Sequence, residues 1–187
     1  MRSQRMNLLA VAALFLFTAG ISLHAQVSLI STGAVWKYLD TGADQGTDWV
    51  GLTFNDNAWS SGPAPLGYST DGDTEYATTN SFGGDDTNKI PTYYYRHTIN
   101  IPNPSTITNL RAQLMRDDGA LVYLNATEVH RVNMPTGEVV FTNFAIGSAV
   151  SGADETALFP FNIDASLLVS GDNVIAVEIH QVSATSS

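Results

Sequence analysis

The segment LMRDDGALVYLNATEVHRVNMP, residues 114–135, reads as short strands joined by tight turns. Residues 119–125 and 128–133 are rich in Val, Leu, Tyr and Thr, the residue types that fit a pleated surface. Asn125-Ala126-Thr127 marks a reversal between them. Asp117-Asp118-Gly119 marks an earlier reversal, where Gly119 is expected to supply the positive φ of a tight turn. Residues 114–132 are thus expected to run as consecutive antiparallel strands.

Working outward, the same texture recurs and helical periodicity is almost absent. Further strands are expected at 35–39, 93–101, 108–115, 138–144, 158–163 and 173–182, with Gly, Asn, Asp, Ser and Pro between them. A short helical turn or loop is expected within 162–168. In 108–115, Leu110, Ala112 and Leu114 share a face opposite Arg111, Gln113 and Met115. In 176–180, Val177 and Ile179 oppose Ala176, Glu178 and His180, the alternation of a half-buried strand. The expected fold is an all-β sandwich of two antiparallel sheets. Residues 40–89 differ, being rich in Gly, Asp, Asn, Thr and Pro with single rings at Trp49, Phe54, Trp59, Tyr68, Tyr76 and Phe82. That stretch is too long for one loop, so short strands or helical turns should be hidden in it. Its rings are expected to plug an edge or end of the sandwich.

The 187 residues suit one domain. Residues 1–25 have the form of a secretory signal peptide, with Arg2 and Arg5 ahead of an apolar run and Leu23 and Ala25 before a cleavage at Gln26. The domain is then 26–187, with six cationic side chains against 18 acidic ones and a net charge of −12. No membrane association is expected after cleavage. So negative a chain lacks the clustered Lys and Arg that nucleic-acid binding requires. Its lack of cysteine excludes disulfides, thiolate catalysis and Cys-based metal sites. There is no G-x-S-x-G, no Gly-rich phosphate loop and no H-E-x-x-H, and no enzymatic activity is expected.

A set of motifs in order carries a resemblance: WKYLDTGADQGTDW from Trp36, FNDNAWSSGPAPLGY from Phe54, YYYRHTINI from Tyr93, the 114–135 segment and LFPFNIDASLLVSGDNVIAVEIHQVSATSS from Leu158. The chain resembles the galactose-binding-domain-like jelly rolls of secreted and surface bacterial proteins. It is also similar, more distantly, to the sugar-binding domain of family 2 glycoside hydrolases. The resemblance covers essentially all of residues 26–187. It implies a jelly-roll sandwich, a secreted, cell-surface or periplasmic location in a bacterium, and a neighbouring catalytic domain as partner. Two departures stand out. The family has Asn-Gly where this chain has Asn125-Ala126, so that turn is either strained or of another type. The family also commonly continues into a further strand, so the sandwich is expected to lack its final strand and to leave an edge for a partner or a second copy.

Two functions follow. One is weak binding of a glycan or cell-surface polymer by Tyr94, Arg96, Arg116, Glu178 and His180, aromatic and planar polar groups of the kind that sugars engage. The other is a structural or adhesion role, in which Arg96 and Arg116 instead hold loops by pairing with Asp117, Asp118 or Glu178. Adjacent carboxylates such as Asp117 and Asp118 make a poor acid/base pair. By resemblance, Asp40 and Asp44, with Asp48, look like the calcium-holding loop of galactose-binding-like domains, where Ca²⁺ is structural. A second acidic cluster is Asp71, Asp73 and Glu75.

Overall fold

The computed structural model describes residues 26–69 and 76–186; the signal-peptide segment and the Asp71, Asp73 and Glu75 cluster lie outside them. Among the described residues there are ten strands: β1 (Val35–Leu39), β2 (Ser60–Pro63), β3 (Leu66–Gly67), β4 (Thr78–Thr79), β5 (Thr92–Ile101), β6 (Leu110–Leu114), β7 (Gly119–Leu124), β8 (Thr127–Val132), β9 (Phe159–Ile163) and β10 (Gly171–His180). Six of them form one antiparallel sheet in the order β2-β1-β5-β10-β7-β8. β6 and β9 pair antiparallel, and β3 and β4 form a small parallel pair. The arrangement is all-β and sandwich-like, with three sheets rather than the two expected.

One face of the large sheet packs on the β6–β9 pair. Ile99, Ile101, Leu124 and Ile175 meet Leu110, Ala112, Phe161 and Ile163 there. The opposite face is covered by irregular chain. Trp49 and Trp59 pack on Tyr94, Val174 and Ala176, with Phe141 alongside. Trp49, Phe54 and Trp59 therefore blanket this face rather than plug an edge, whereas Tyr68 and Phe82 pack with Ile90 and Tyr93 at the start of β5, on the other face. As expected, that stretch hides short elements: β2, β3, β4 and a 3-10 turn at Asp48–Val50.

Because both faces are covered, β10 is not half-buried as its alternation suggested. Ala176 and His180 are fully buried, and Glu178 nearly so, on the face that looked polar. Residues 138–144 are no strand. The Val140 amide bonds Asn143 Oδ1 (2.8 Å), and the Asn143 amide bonds the Val140 carbonyl (2.9 Å). A local turn thereby replaces a ladder, lying between Gly137, at φ 88°, and Ala145, whose amide reaches the Gln181 carbonyl.

Asp117-Asp118-Gly119 is also not a hairpin. β6 pairs with β9, so the chain crosses between sheets at 115–118. Gly119 opens β7 without a positive φ. It is needed for space, because a Cβ there would lie 2.5 Å from Met134 Sδ and 2.7 Å from Ala145 Cβ.

β7 and β8 do form the expected hairpin. Asn125 (φ 51°) and Ala126 (φ 70°) both adopt left-handed backbone, the pattern of a two-residue type I′ turn. Asn125 tolerates this conformation and is fixed from both sides, donating to the Leu167 carbonyl (3.0 Å) and accepting from the Val174 amide (2.9 Å). Ala126 suffers a Cβ clash in that region. Ala126→Gly is expected to raise the unfolding free energy by about 0.5–1 kcal/mol after the glycine entropy cost. A thermal melt should rise by roughly 1–4 °C.

Candidate functional site

β5 and β10 are neighbours, with Thr92 opposite His180, Tyr94 opposite Glu178 and Arg96 opposite Ala176. Alternation puts Thr92, Tyr94, Arg96, Glu178 and His180 on one face, beneath the irregular cover. Four of the five residues expected to touch a ligand therefore form one contiguous patch, and it is buried: Tyr94 is 2% exposed, Arg96 3%, Glu178 6% and His180 0%.

The charged and polar side chains of this patch bond to the protein itself. Arg96 donates from Nε to Asp56 Oδ2 (2.8 Å) and from Nη1 to the carbonyls of Trp49 and Gly51, the latter at 3.1 Å. Its guanidinium also lies 5.2 Å from the centre of the Phe54 ring. One side chain on a rigid strand thus grips residues 49–56 at three points. The acidic partner is Asp56, not Asp117, Asp118 or Glu178.

His180 Nδ1 lies 2.8 Å from the Asn143 carbonyl and 2.9 Å from Thr92 Oγ1. Thr92 gives its own hydrogen to the Phe141 carbonyl (2.6 Å), so both neighbours of Nδ1 are acceptors and Nδ1 carries the proton. Nε2 is 3.3 Å from Glu178 Oε2 without hydrogen-bond alignment. Glu178 Oε1 accepts from the Tyr123 hydroxyl (2.8 Å). Burial, then the Glu178 charge, push the Tyr123 phenol far above its ordinary value, so it acts as a donor. Thr92 and His180 thus join the 141–143 turn to the sheet.

Arg116 lies apart from this patch. It stacks over Phe159 at 4.8 Å and donates to the Asp118 carbonyl (2.9 Å), bracing the crossover between sheets. The buried Asp118 carboxylate accepts from the amides of Val150 (2.7 Å) and Val182 (2.8 Å) and from Ser186 Oγ (2.9 Å). Asp117 sits beside it, and its carboxyl is pushed up to about 8 by burial, by its bond to Asp118 and by the neighbouring acidic charges.

The two residues expected to hold calcium serve the backbone. Asp40 Oδ2 accepts from the Ser81 amide (2.6 Å), and Asp44 Oδ1 from the Gly46 amide (2.8 Å). Among the described residues no three carboxylate or imidazole side chains converge. A Ca²⁺ site of the expected kind would therefore draw most of its six or more oxygen ligands from the loop's backbone carbonyls.

The open surface lies elsewhere, on the loop that Arg96 grips. A groove of about 570 Å³ runs along residues 47–55 and ends at Ala126. Thr47, Asp48, Thr53, Phe54 and Asn55 line it, and none of them is among the sugar contacts expected from the sequence. A smaller groove of about 350 Å³ lies on the Asp56 side, bordered by Val35, Lys37, Ser61, Arg96 and Thr98. The signal that was available is the density of hydroxyl, amide and carboxylate side chains between the two anchoring rings, Trp49 and Trp59.

No protein-family model and no curated protein matches the chain. Solved structures do match in fold. A β-glycosidase from Bacteroides vulgatus superposes with a TM-score of 0.52 at 17% identity, over 81% of this chain and 17% of that one. Bacteroides uniformis β-glucuronidase 2 superposes with a TM-score of 0.51 at 21% identity, over 83% of this chain and 14% of that one. The chain spans less than one fifth of the length of these two enzymes. The similarity extends over most of this chain, and what it establishes is the fold.

Proposed function

We propose that the chain is a non-catalytic accessory module of galactose-binding-like, jelly-roll type, exported through residues 1–25, that binds glycan weakly beside a carbohydrate-active catalytic domain. The observation that carries this reading is the open groove, of mixed polar and apolar lining, on a loop clamped to the sheet by Arg96. A fold that fills one module's share of two large glycosidases supports it. The buried His180–Glu178 pair favours no chemistry, since His180 is fully buried and Glu178 nearly so, out of a substrate's reach. Tyr94, Arg96, Glu178 and His180 then serve binding by positioning the loops, and Arg116 by bracing the crossover.

A packing role is the second reading. Val140, Phe144 and Ile146 are 40–53% exposed along one segment, as a surface meeting another domain would be. Affinity electrophoresis of residues 26–187 through gels carrying neutral or acidic polysaccharides separates the two. Retardation in at least one gel is expected. Free migration in every gel, with self-association in sedimentation, would transfer the assignment to packing.

A further inference from the structure

We propose that the groove along residues 47–55 is the glycan site and that it selects neutral over uronate-bearing sugars. This inference rests on the glycan-binding reading above and adds to it the place and the class of ligand.

The groove has the size and the preparation of a site. Its volume of about 570 Å³ falls within the roughly 300–1,000 Å³ of small-ligand pockets. Its wall is fixed in advance. Trp49, 2% exposed, anchors one end in the core, and Arg96 holds the Trp49 and Gly51 carbonyls and Asp56 together. A wall already ordered loses little entropy when a ligand arrives.

Its chemistry matches a sugar ring, which offers hydroxyls at its rim and C–H groups on its faces. The hydroxyls of Thr47 and Thr53 both donate and accept, and the planar ends of Asp48 and Asn55 can bridge adjacent hydroxyls. Asn55 Oδ1 accepts from the Asn57 amide (3.1 Å), which fixes the plane of its side chain. The half-buried Phe54 ring and the Ala126 methyl supply apolar contact.

Charge sets the class. Among the described residues no Lys, Arg or His lines this groove, and Asp48 is the only ionisable side chain that does. Arg96 stands behind the loop with its charge paired to Asp56, and Lys37 borders the other groove. A uronate carboxylate would enter beside Asp48, in a protein of net charge −10, with no cation to meet it. Neutral hexoses and pentoses carry no such cost. The preference is thus the reverse of what a glucuronide-binding site would show.

The test titrates residues 26–187 with neutral β-linked hexose and xylose oligosaccharides and with oligogalacturonate and oligoglucuronate, by calorimetry and by amide NMR. Shifts are expected at Thr47, Gly51, Asn55 and Ala126, with neutral sugars only. Asn55→Ala and the pair Asp48→Ala with Thr53→Ala should each weaken binding about tenfold or more, the loss of a well-placed hydrogen bond to ligand. Their melting temperatures should hold, since all three residues are exposed. Lys37→Ala should leave affinity unchanged. Neutral-sugar binding that survives the groove variants would overturn this site while leaving the glycan-binding reading intact. Tighter binding of the uronates would overturn the charge argument. Binding to none of the sugars would overturn both.

Discussion

Arg96→Met is expected to lower the unfolding free energy by about 3–5 kcal/mol, as when one partner of a buried ion pair is removed. Methionine fills much of the volume but donates nothing. Asp56 would keep a charge only 21% exposed, and the carbonyls of Trp49 and Gly51 would lose their shared donor. Trp49 and Trp59 sit on the loop thus released, so the loss has an optical signature. Tryptophan emission should shift to the red, near-ultraviolet dichroism should fall, and the melt should drop by roughly 6–20 °C. Arg96→Lys should recover only part, because a single ammonium cannot span three acceptors with the geometry of a guanidinium. A methionine variant melting like the parent would mean that the two tryptophans hold the loop unaided.

Asp118→Ala is expected to cost a similar amount, about 3–5 kcal/mol, by leaving the Val150 and Val182 amides and the Ser186 hydroxyl without their shared acceptor. These donors come from two separate stretches of chain, 150 and 182–186. Removing one carboxylate therefore loosens both where they meet the crossover. Hydrogen exchange at Val150 and Val182 should accelerate together, ahead of the β5–β10 ladder. The substitution should also draw the Asp117 carboxyl back down, since Asp118 contributes both a hydrogen bond and a repulsive charge to its elevation. Exchange at only one of the two amides would mean that Asp118 does not couple the segments.

Strands were legible wherever local chemistry and burial agree. The alternation of Leu110, Ala112 and Leu114 matches the half-buried face that β6 turns to the large sheet, and Asn125-Ala126 sits at the β7–β8 reversal. Failures occur where distant contacts overrule local preference. Residues 138–144 carry strand-forming Val and Phe, but Asn143 folds their backbone into a turn and Phe141 is drawn onto Tyr94. Asp117-Asp118-Gly119 has hairpin chemistry. Its direction is set by bonds from Asp118 to residues 32–68 positions away, which no local pattern reports. The Arg96–Asp56 pair was equally invisible: an arginine in a strand names no partner, and forty residues separate the two. Without that pair, the loop between Trp49 and Trp59 reads as filler rather than as the fixed wall of a groove.

The position of β10 has a kinetic consequence. It is the latest of the described strands in sequence and lies between β5 and β7 in the large sheet, with His180 opposite Thr92, 88 residues earlier. Ribbons β2-β1-β5 and β7-β8 form no ladder with each other; only β10 joins them. Until residues 171–180 pair with both, the chain holds two half-sheets with bare inner edges, and closure requires long-range pairing of the kind that slows folding to milliseconds or seconds. The interval before closure is when those edges can capture a strand from another molecule.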